Sequence, residues 1–375
     1  MQTLKQLDTS TLMARIPHPI KAHPALTYQE PLMVRIGRYA MTGTLVLLVL
    51  SGLYVAVWFL TAMNLRSGIE DWTKARQSEG YLAQYDDQKA RISGFPFNVK
   101  AQLSDVAFAP PVEKNGKRPW VWSAQKIAFK IVPLPWSIGE LHVDLSHHQK
   151  LSINAARFEG KAKKFELLLD WTSKGLPDDF SVEINNLDLE NKNNSYRFFI
   201  DHLMALTNRQ SDGAYGFDVN GEGLNLPVGI SGLGRKVDDI ILRGQLSDGF
   251  GQTGLSKDTL MGWRDNGGTM EVERLQLKYD PLMIQGNGTL ALDGDMQLVG
   301  AFSARIQGFF ETVEQLHRGG VVRGPDATMA KVVLGMLAKH PDTGGPLSIS
   351  LPLTIQDGTF FAGPVRLLEM PKINW

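Results

Sequence analysis

The sequence contains no cysteine among its 375 residues. This absence excludes disulfide bonds, thiol nucleophiles and every metal site that needs a thiolate ligand. The fold must therefore be stabilised by packing, and a chain of this length can bury a large hydrophobic core.

The chain also lacks a net charge, because 39 basic residues balance 39 acidic residues. Beyond residue 63 the balance is 34 basic to 37 acidic residues. A protein that binds nucleic acid needs a basic surface, and this composition does not provide one. We therefore expect no nucleic-acid partner.

The sequence motifs of common enzyme classes are absent as well. There is no H-E-x-x-H zinc motif, no G-x-S-x-G nucleophile elbow and no G-x-x-x-x-G-K-[ST] phosphate loop. His147 and His148 could bind a metal as a pair, but neighbouring residues of a strand point to opposite faces. We predict that the protein is not an enzyme and has no catalytic residue, no metal site and no cofactor.

One long apolar stretch, residues 39–63, stands out near the N-terminus and contains no charged residue. At a helical rise of ~1.5 Å per residue it would reach roughly 38 Å, which exceeds the thickness of about 30 Å of a hydrocarbon core. A cleaved signal peptide is the alternative, but its apolar region usually has about 7–15 residues. We predict a transmembrane helix over residues 39–63.

The charges that flank this stretch predict its orientation. Residues 1–38 carry five basic and two acidic residues, and Arg35 and Arg38 lie at the predicted membrane edge. The positive-inside rule therefore places the N-terminus in the cytoplasm and the C-terminal part on the far side of the membrane. Residues 1–38, which are rich in proline, are predicted to be a disordered cytoplasmic leader.

A juxtamembrane helix is predicted over residues 64–80, where Ser67 and Glu70 form a capping box and Gly80 ends the helix. From residue 81 to 375 apolar and polar residues mostly alternate, which is typical of strands in an antiparallel sheet. Short helices are predicted at 260–263, 309–317 and from Asp326, as an N-cap, to about residue 339. The predicted fold class is mainly β (α+β), with curved antiparallel sheets and a few short helices packed on them or at their ends. This region is either one domain or two related halves that divide near residue 212.

Short sequence motifs also predict turns and bends. Asp293-Gly294 and Asp357-Gly358 suit type I′ hairpin turns, and Pro352 predicts an edge or bulged strand. A six-residue pattern occurs four times: an apolar residue, two polar residues, an apolar residue, any residue and a final apolar residue. Its occurrences are 103–108, 184–189, 237–242 and 272–277. The polar step is expected to bend or bulge each strand, whether the pattern reflects ordinary kinked strands or a duplicated unit.

Particular residues resemble a known family. They are Trp72 and Gly80 after the membrane anchor, residues 94–97 (GFPF), Trp263-Arg264, Gly267-Gly268, residues 288–293 (GTLALD), Pro346-Leu347, Asp357-Gly358, Gly363-Pro364 and Pro371. Over roughly residues 66–375 the chain resembles the domain of unknown function 2125 family of Gram-negative bacteria. The resemblance implies an inner-membrane anchor and a periplasmic domain, but no activity. More loosely, the chain is similar to AsmA-like envelope proteins, whose sheets form lipid-carrying grooves.

Two functions are predicted from different classes. The first is the binding of lipid acyl chains in an apolar β-groove, for envelope lipid transport or outer-membrane maintenance, because the strands offer more apolar surface than the short helices can cover. The candidate ligand-binding residues are Met296, Leu298, Phe302, Leu347, Ile349, Leu351 and Leu353. The second is a structural or assembly scaffold with a closed core and no ligand. The expected partners are the inner membrane through residues 39–63, phospholipid or another lipid, and envelope proteins.

Overall fold

The computed structural model describes residues 31–87, 90–113, 116–134, 137, 139–153, 156–170, 177–194, 196–249, 257–340, 345–363, 365–370 and 372–373. The chain divides into two units, residues 1–54 and residues 55–375, which are described separately below.

Helices and strands follow each other in the order that the patterns predict, a long helix first and then mostly strands. The helices are α1 (Leu32–Ser78), α2 (Lys257–Asp265), α3 (Phe309–Arg318) and α4 (Gly324–Leu337). The strands are β1 (Leu82–Gln84), β2 (Arg91–Ser93), β3 (Val99–Ala109), β4 (Trp120–Ile131), β5 (Glu140–Asp144), β6 (Gln149–Ile153), β7 (Ala156–Lys161), β8 (Lys164–Asp170), β9 (Asp179–Asn191), β10 (Arg197–Arg209), β11 (Tyr215–Ile230), β12 (Gly234–Leu246), β13 (Met270–Tyr279), β14 (Leu282–Leu292), β15 (Leu298–Gln307), β16 (Ser348–Gln356), β17 (Thr359–Ala362) and β18 (Val365–Glu369).

The described part of the first unit is the N-terminal portion of α1. Residues 31–53 are all exposed, and an apolar surface of this kind requires lipid or a partner. The helix α1 is apolar and long enough to cross a membrane once. It begins at Leu32, so the predicted disorder of residues 32–38 is wrong. The rest of the predicted leader, residues 1–30, lies outside the described residues.

In the second unit, α1 continues to Ser78 without interruption. The predicted capping box at Ser67 is therefore wrong: the Ser67 hydroxyl donates to the carbonyl oxygens of Met63 and Asn64 at 3.1 and 3.3 Å, as in a helix interior. No proline interrupts this region, and the single interior Gly68 costs only about 1 kcal/mol of helix stability. The helix ends before Gly80, whose φ of 85° supplies the predicted stop.

The strands form one antiparallel arrangement in which chain neighbours pair. From β8 through β18 each strand pairs with the next one along the chain. Three pairs of short strands each share a longer partner: β1 and β2 pair with β3, β5 and β6 with β4, and β7 and β8 with β9. The predicted fold class, mainly antiparallel β with a few helices, is confirmed.

A line of irregular positions, here called the crease, crosses these strands. Asp105 in β3, Asn186 in β9 and Gly223 in β11 have φ values of 51°, 48° and 60°. The strand register places Asn186 opposite Asp201 and Asp201 opposite Gly223, and the Asn186 amide donates to the Asp201 carboxylate at 2.8 Å. The gap between β7 and β8 lies on the same line, because the Lys163 amide donates to the Asn186 carbonyl at 3.3 Å.

The repeated polar step falls at such irregular positions. The second polar residue of 103–108 is Asp105 and that of 184–189 is Asn186, and both have left-handed backbones. In 272–277 the register with β14 shifts between Val272 and Leu275, which marks a bulge. The predicted bend is thus confirmed for three of the four occurrences, and the fourth, 237–242, shows no register shift against β11 or β13 at its polar step.

The two predicted hairpin turns behave differently. Asp357 and Gly358 have φ values of 50° and 65°, and Gln356 pairs with Thr359, so the type I′ prediction is confirmed. Between β14 and β15 the turn instead has five residues, Asp293–Gln297, and Met296 has the positive φ of 59°. The type I′ prediction at Asp293-Gly294 is wrong. The Asp293 carboxylate accepts hydrogen bonds from the amides of Asp295 and Gln297, which favours the wider turn.

The three later helices overlap the predicted segments, but their ends differ: α2 extends beyond the predicted 260–263 on both sides, and α4 ends at Leu337. Helix α4 begins at Gly324 after Arg323, which forms no side-chain cap, so Asp326 lies in the first turn instead of capping the helix. The β17 ladder on β16 runs from Gln356 to Leu353 and stops before Pro352, which is exposed. Strand β16 pairs with β15 and β17 without a register shift, and the Gly363 amide donates to the Pro352 carbonyl at 2.7 Å, so the prediction of an edge or bulged strand is wrong.

Buried apolar residues form three clusters. The first core cluster joins α1 to β3, β4 and β5 and contains Trp58, Ala62, Leu65, Val99, Ala101, Ala124, Ile127, Ile131, Leu141 and Val143. The second contains Phe158, Ala162, Ile184, Leu187, Leu189 and Ile200. The third contains Tyr215, Leu260, Trp263, Leu292 and Met296. The first cluster therefore fixes residues 58–65 of α1 on the sheet.

Candidate functional site

A cavity of about 580 Å³, here called the helix–sheet cavity, lies between α1 and the first strands. Its helix side is formed by Leu65, Gly68, Ile69, Trp72 and Thr73, and its sheet side includes Leu103, Val106, Phe108, Trp122, Ile127, Phe129, Leu141, Val143, Leu145 and Leu169. Ligand sites typically have about 300–1,000 Å³, so this volume suits a small apolar molecule or part of a larger one.

The walls of the cavity are almost entirely apolar. Among the lining residues that the structure describes, the side chains with polar groups are Thr73, Gln84, Tyr85, Asp170, Trp122 and Trp72. The indole nitrogen of Trp122 donates to the Gln149 side chain at 2.9 Å, so it needs no ligand as a partner. Walls of this composition favour hydrocarbon over a polar ligand.

The helix side of the cavity follows from the spacing along α1. Leu65, Gly68, Ile69 and Trp72 lie three or four residues apart and share one face. A Cβ atom added at Gly68 would meet no atom within 4 Å. Gly68 is exposed and lines the cavity, so a larger side chain at this position would have open space beside the cavity.

Aromatic contacts hold α1 at both ends of this region. The Trp58 indole nitrogen donates to the Asn98 carbonyl at 2.9 Å, and the Trp58 ring packs against Phe95 in an edge-to-face arrangement with 5.4 Å between ring centroids. Farther along the helix, Trp72 contacts Phe108 at 5.7 Å. The Trp58 contacts lie outside the cavity, whereas Trp72 and Phe108 line it, so α1 is packed on the sheet at both ends of the cavity.

A polar recess adjoins the cavity and shares Ile69, Tyr85 and Leu103 with it. The charged side chains of this recess are Arg66, Glu70, Asp87 and Arg91. The Arg66 Nε atom donates to Glu70 at 3.0 Å, and this hydrogen bond and the charges of Glu70 and Asp87 raise the pKa of Arg66. Burial and then the charge of Asp87 raise the pKa of Tyr85, which keeps its hydroxyl protonated.

The seven predicted ligand-binding residues lie elsewhere, on β15, β16 and the segments before them. Met296, Ile349 and Leu353 are buried, while Leu298, Phe302, Leu347 and Leu351 are half-buried. Phe302 pairs across the strands with Leu353, and Met296 and Leu298 belong to the third cluster or pack against it. None of the seven is among the described residues that line the helix–sheet cavity, and their role in binding stays a prediction.

Two other recesses have a larger polar share of their walls than the helix–sheet cavity has. One, of about 700 Å³, lies on β13–β16 and is lined by Arg274, Gln276, Gln285, Asn287, Ser303, Arg305 and Ser350 among others. The other, of about 550 Å³, lies on the crease and is lined by Lys163, Lys164, Asn185, Asn186, Asp201 and His202. Within the described ranges, no three histidine, aspartate or glutamate side chains are placed to hold a metal ion.

Sequence reasoning missed the helix–sheet cavity although one signal was present. Leu65, Ile69 and Trp72 share one face of a helix, but the capping box predicted at Ser67 separates that face from the predicted span. The strands that complete the cavity, β3 to β5 and β8, cannot be assigned to the helix by any local pattern. The local signal of a cavity is Gly68, which lies among the apolar residues of one helical face.

Comparison with known proteins identifies a family whose members have no assigned function. A family model described as "Uncharacterized protein conserved in bacteria (DUF2125)" matches residues 58–371. No curated protein matches the chain, and no solved structure matches it. The matched segment begins at Trp58, the residue with which α1 starts to pack on the sheet.

Proposed function

We propose, from the premise that the chain belongs to the DUF2125 family, that it is a membrane-anchored protein that binds a lipid acyl chain in the helix–sheet cavity. The observation that carries this proposal is an apolar cavity of about 580 Å³ whose helix side belongs to the same helix as the membrane-spanning candidate. The proposal assigns a binding role without catalysis, in envelope lipid transport or outer-membrane maintenance.

The position of the cavity along α1 supports a ligand that comes from the membrane. Leu65 follows Trp58, the first residue of α1 in the first core cluster, by about 11 Å of helix, and Trp72 follows Trp58 by about 21 Å. A hydrocarbon chain that leaves the bilayer beside α1 would therefore meet the cavity within the next turns of the same helix.

The chemistry of the walls is sufficient for such binding. Each methylene group transferred from water into an apolar site contributes ~0.8 kcal/mol. An acyl chain therefore gains affinity without any specific polar contact, provided that the cavity is already open. The cavity of about 580 Å³ is already present without a ligand, so binding would not require α1 to separate from the sheet.

The proposal includes a location: a single pass through the inner membrane, a cytoplasmic N-terminus and a periplasmic C-terminal domain. Because the chain has no cysteine, single-cysteine variants report exposure without background. We expect Ser211→Cys, in the turn after β10, to react with a membrane-impermeant maleimide in intact spheroplasts. Ser10→Cys should react only after the membrane is permeabilised. The opposite pattern would show that the orientation is reversed.

The lipid-binding proposal predicts a bound lipid in the purified protein. The full-length chain, extracted in a mild detergent and measured by native mass spectrometry, should carry one phospholipid or fatty acid per chain. The bound fraction should persist after detergent exchange, because the ligand is enclosed between α1 and the sheet. A chain that carries no lipid, and takes up none when phospholipid is added, would contradict the proposal.

A scaffold in the cell envelope is the second candidate function, and helix α4 favours it. This helix is apolar on several sides, yet Met329 and Met336 are 70% and 80% exposed. Exposed apolar surface of this kind marks an interaction site. Under this alternative the chain docks an envelope protein at α4, and the mass measurement above finds it free of lipid.

A further inference from the structure

We propose that the recess on β13–β16, here called the arginine recess, binds a sugar that carries a phosphate monoester. This inference goes beyond the proposed function, because the arginine recess shares none of its described lining residues with the helix–sheet cavity. Its volume of about 700 Å³ lies within the range of about 300–1,000 Å³ that is typical of ligand sites, so it has room for a monosaccharide phosphate.

Two neighbouring rows of polar side chains line one face of the sheet in this recess. The first row is paired in succession across β13, β14, β15 and β16 and consists of Gln276, Gln285, Arg305 and Ser350. The second row lies two residues from the first on the same strands and consists of Arg274, Asn287 and Ser303. Because residues two apart in a strand point to the same face, both rows face the recess.

The two arginines of the recess lie on either side of β14. Arg274 belongs to the bulge of β13, where the register with β14 shifts between Val272 and Leu275, and a bulge can redirect a side chain. The Arg274 Nη2 atom donates to the Gln276 side chain at 3.1 Å, so its guanidinium group leans toward the row that contains Arg305. Strands β13 and β15 are two strand spacings apart, about 10 Å. A ligand above β14 is therefore within reach of both arginines.

The charge of the recess matches a phosphate monoester. Arg274 and Arg305 are the charged side chains among its described lining residues, and Glu273, the neighbour of Arg274 in the bulge, is not one of them. Asp239 on β12 accepts a hydrogen bond from the Gln276 amide at 2.7 Å. A phosphate monoester carries about −1.5 to −2 charges at neutral pH, which two guanidinium groups balance and bind through paired hydrogen bonds. A carboxylate would balance only one of them.

The other polar side chains of the recess suit the hydroxyl groups of a sugar. Gln285, Asn287, Ser303 and Ser350 are exposed and form no side-chain hydrogen bond with a residue in the described ranges, and Arg305 has no ion pair there. Amide and hydroxyl side chains supply both donors and acceptors, as sugar hydroxyl groups do. Inorganic phosphate would leave most of these groups unused, so the arrangement favours a phosphorylated sugar.

The test is isothermal titration calorimetry of the full-length chain in detergent, with glucose 6-phosphate as the probe. This probe should bind at least about tenfold more tightly than glucose, because hydrogen bonds to a charged group are stronger than neutral ones. Arg274→Gln and Arg305→Gln should each weaken its binding by about fivefold. Arg157→Gln is the matched control, because it removes an exposed arginine of β7 that also has no partner in the described ranges. It should leave binding unchanged.

The outcomes separate this inference from the proposed function. If glucose 6-phosphate binds no more tightly than glucose, or if Arg305→Gln and Arg157→Gln weaken binding equally, the inference is overturned. Inorganic phosphate that binds as tightly as glucose 6-phosphate would overturn the assignment to a sugar. Dodecyl glucoside 6-phosphate distinguishes the sources: tighter binding that Arg305→Gln weakens indicates a lipid-borne sugar phosphate, and equal or weaker binding indicates a free one. Co-purified lipid should not change in either arginine variant, so acyl-chain binding stands or fails separately.

Discussion

Gly68→Phe is expected to reduce the amount of lipid that co-purifies with the chain by at least about tenfold, because the new ring fills the space that an acyl chain would need. Gly68 lies on the face of α1 that lines the cavity, and its added Cβ meets no atom within 4 Å. The substitution also replaces a poor helix former, so the helix should be stabilised by about 0.5 kcal/mol. The measurement is native mass spectrometry of the full-length variant beside the wild type.

Gly262→Phe is the matched control for this experiment. Gly262 lies in helix α2, its added Cβ also meets no atom within 4 Å, and it does not line the cavity. The gain in helix propensity should be the same, and bound lipid should not change. If both variants lose lipid equally, or if neither does, the cavity is not the place where lipid binds.

Trp58→Ala is expected to destabilise the second unit by about 3–5 kcal/mol, the usual cost of removing a buried large aromatic side chain. Trp58 is 6% exposed and belongs to the first core cluster. Its loss removes the packing against Phe95 and the hydrogen bond to the Asn98 carbonyl. Residues 58–73 of α1 should then exchange their amide hydrogens faster, because the contact that fixes them on the sheet is gone.

Two further variants separate the contribution of the Trp58 packing from that of its hydrogen bond. Trp58→Phe keeps most of the packing but leaves the Asn98 carbonyl without its donor, so a loss of about 1–2 kcal/mol is expected. Phe97→Ala, at a side chain that is 80% exposed, should change stability by less than about 0.5 kcal/mol. Thermal unfolding in detergent ranks the three variants by stability. A Trp58→Ala chain as stable as Phe97→Ala would mean that α1 is not held on the sheet by this residue.

The sequence was most informative where structure depends on residues close together in the chain. Alternation predicted the strands, the Asp357-Gly358 pair predicted its turn, and the repeated polar step predicted bends that the backbone places at Asp105 and Asn186. Each of these features depends on local sterics or on a period of two. The apolar length of residues 39–63 likewise predicted a helix that is able to span a membrane.

Features that depend on distant contacts were missed or misplaced. A capping box can form only where a helix begins, and at Ser67 the apolar packing of α1 on the first strands continues the helix instead. The turn at Asp293 widens because its carboxylate and the buried side chain of Met296 favour a five-residue loop. The helix–sheet cavity needs residues from 65–73 and from 103–169 together, and no local pattern brings these segments into contact.

The most direct measurement is photo-crosslinking of the full-length chain with a phospholipid that carries a diazirine in its acyl chain, followed by peptide mapping. The account predicts crosslinks within residues 65–73 and on the facing strands between residues 103 and 145, and their loss in Gly68→Phe. Crosslinks at residues 296–302 and 347–353 without any between residues 103 and 145 would contradict it and favour the groove on β15 and β16.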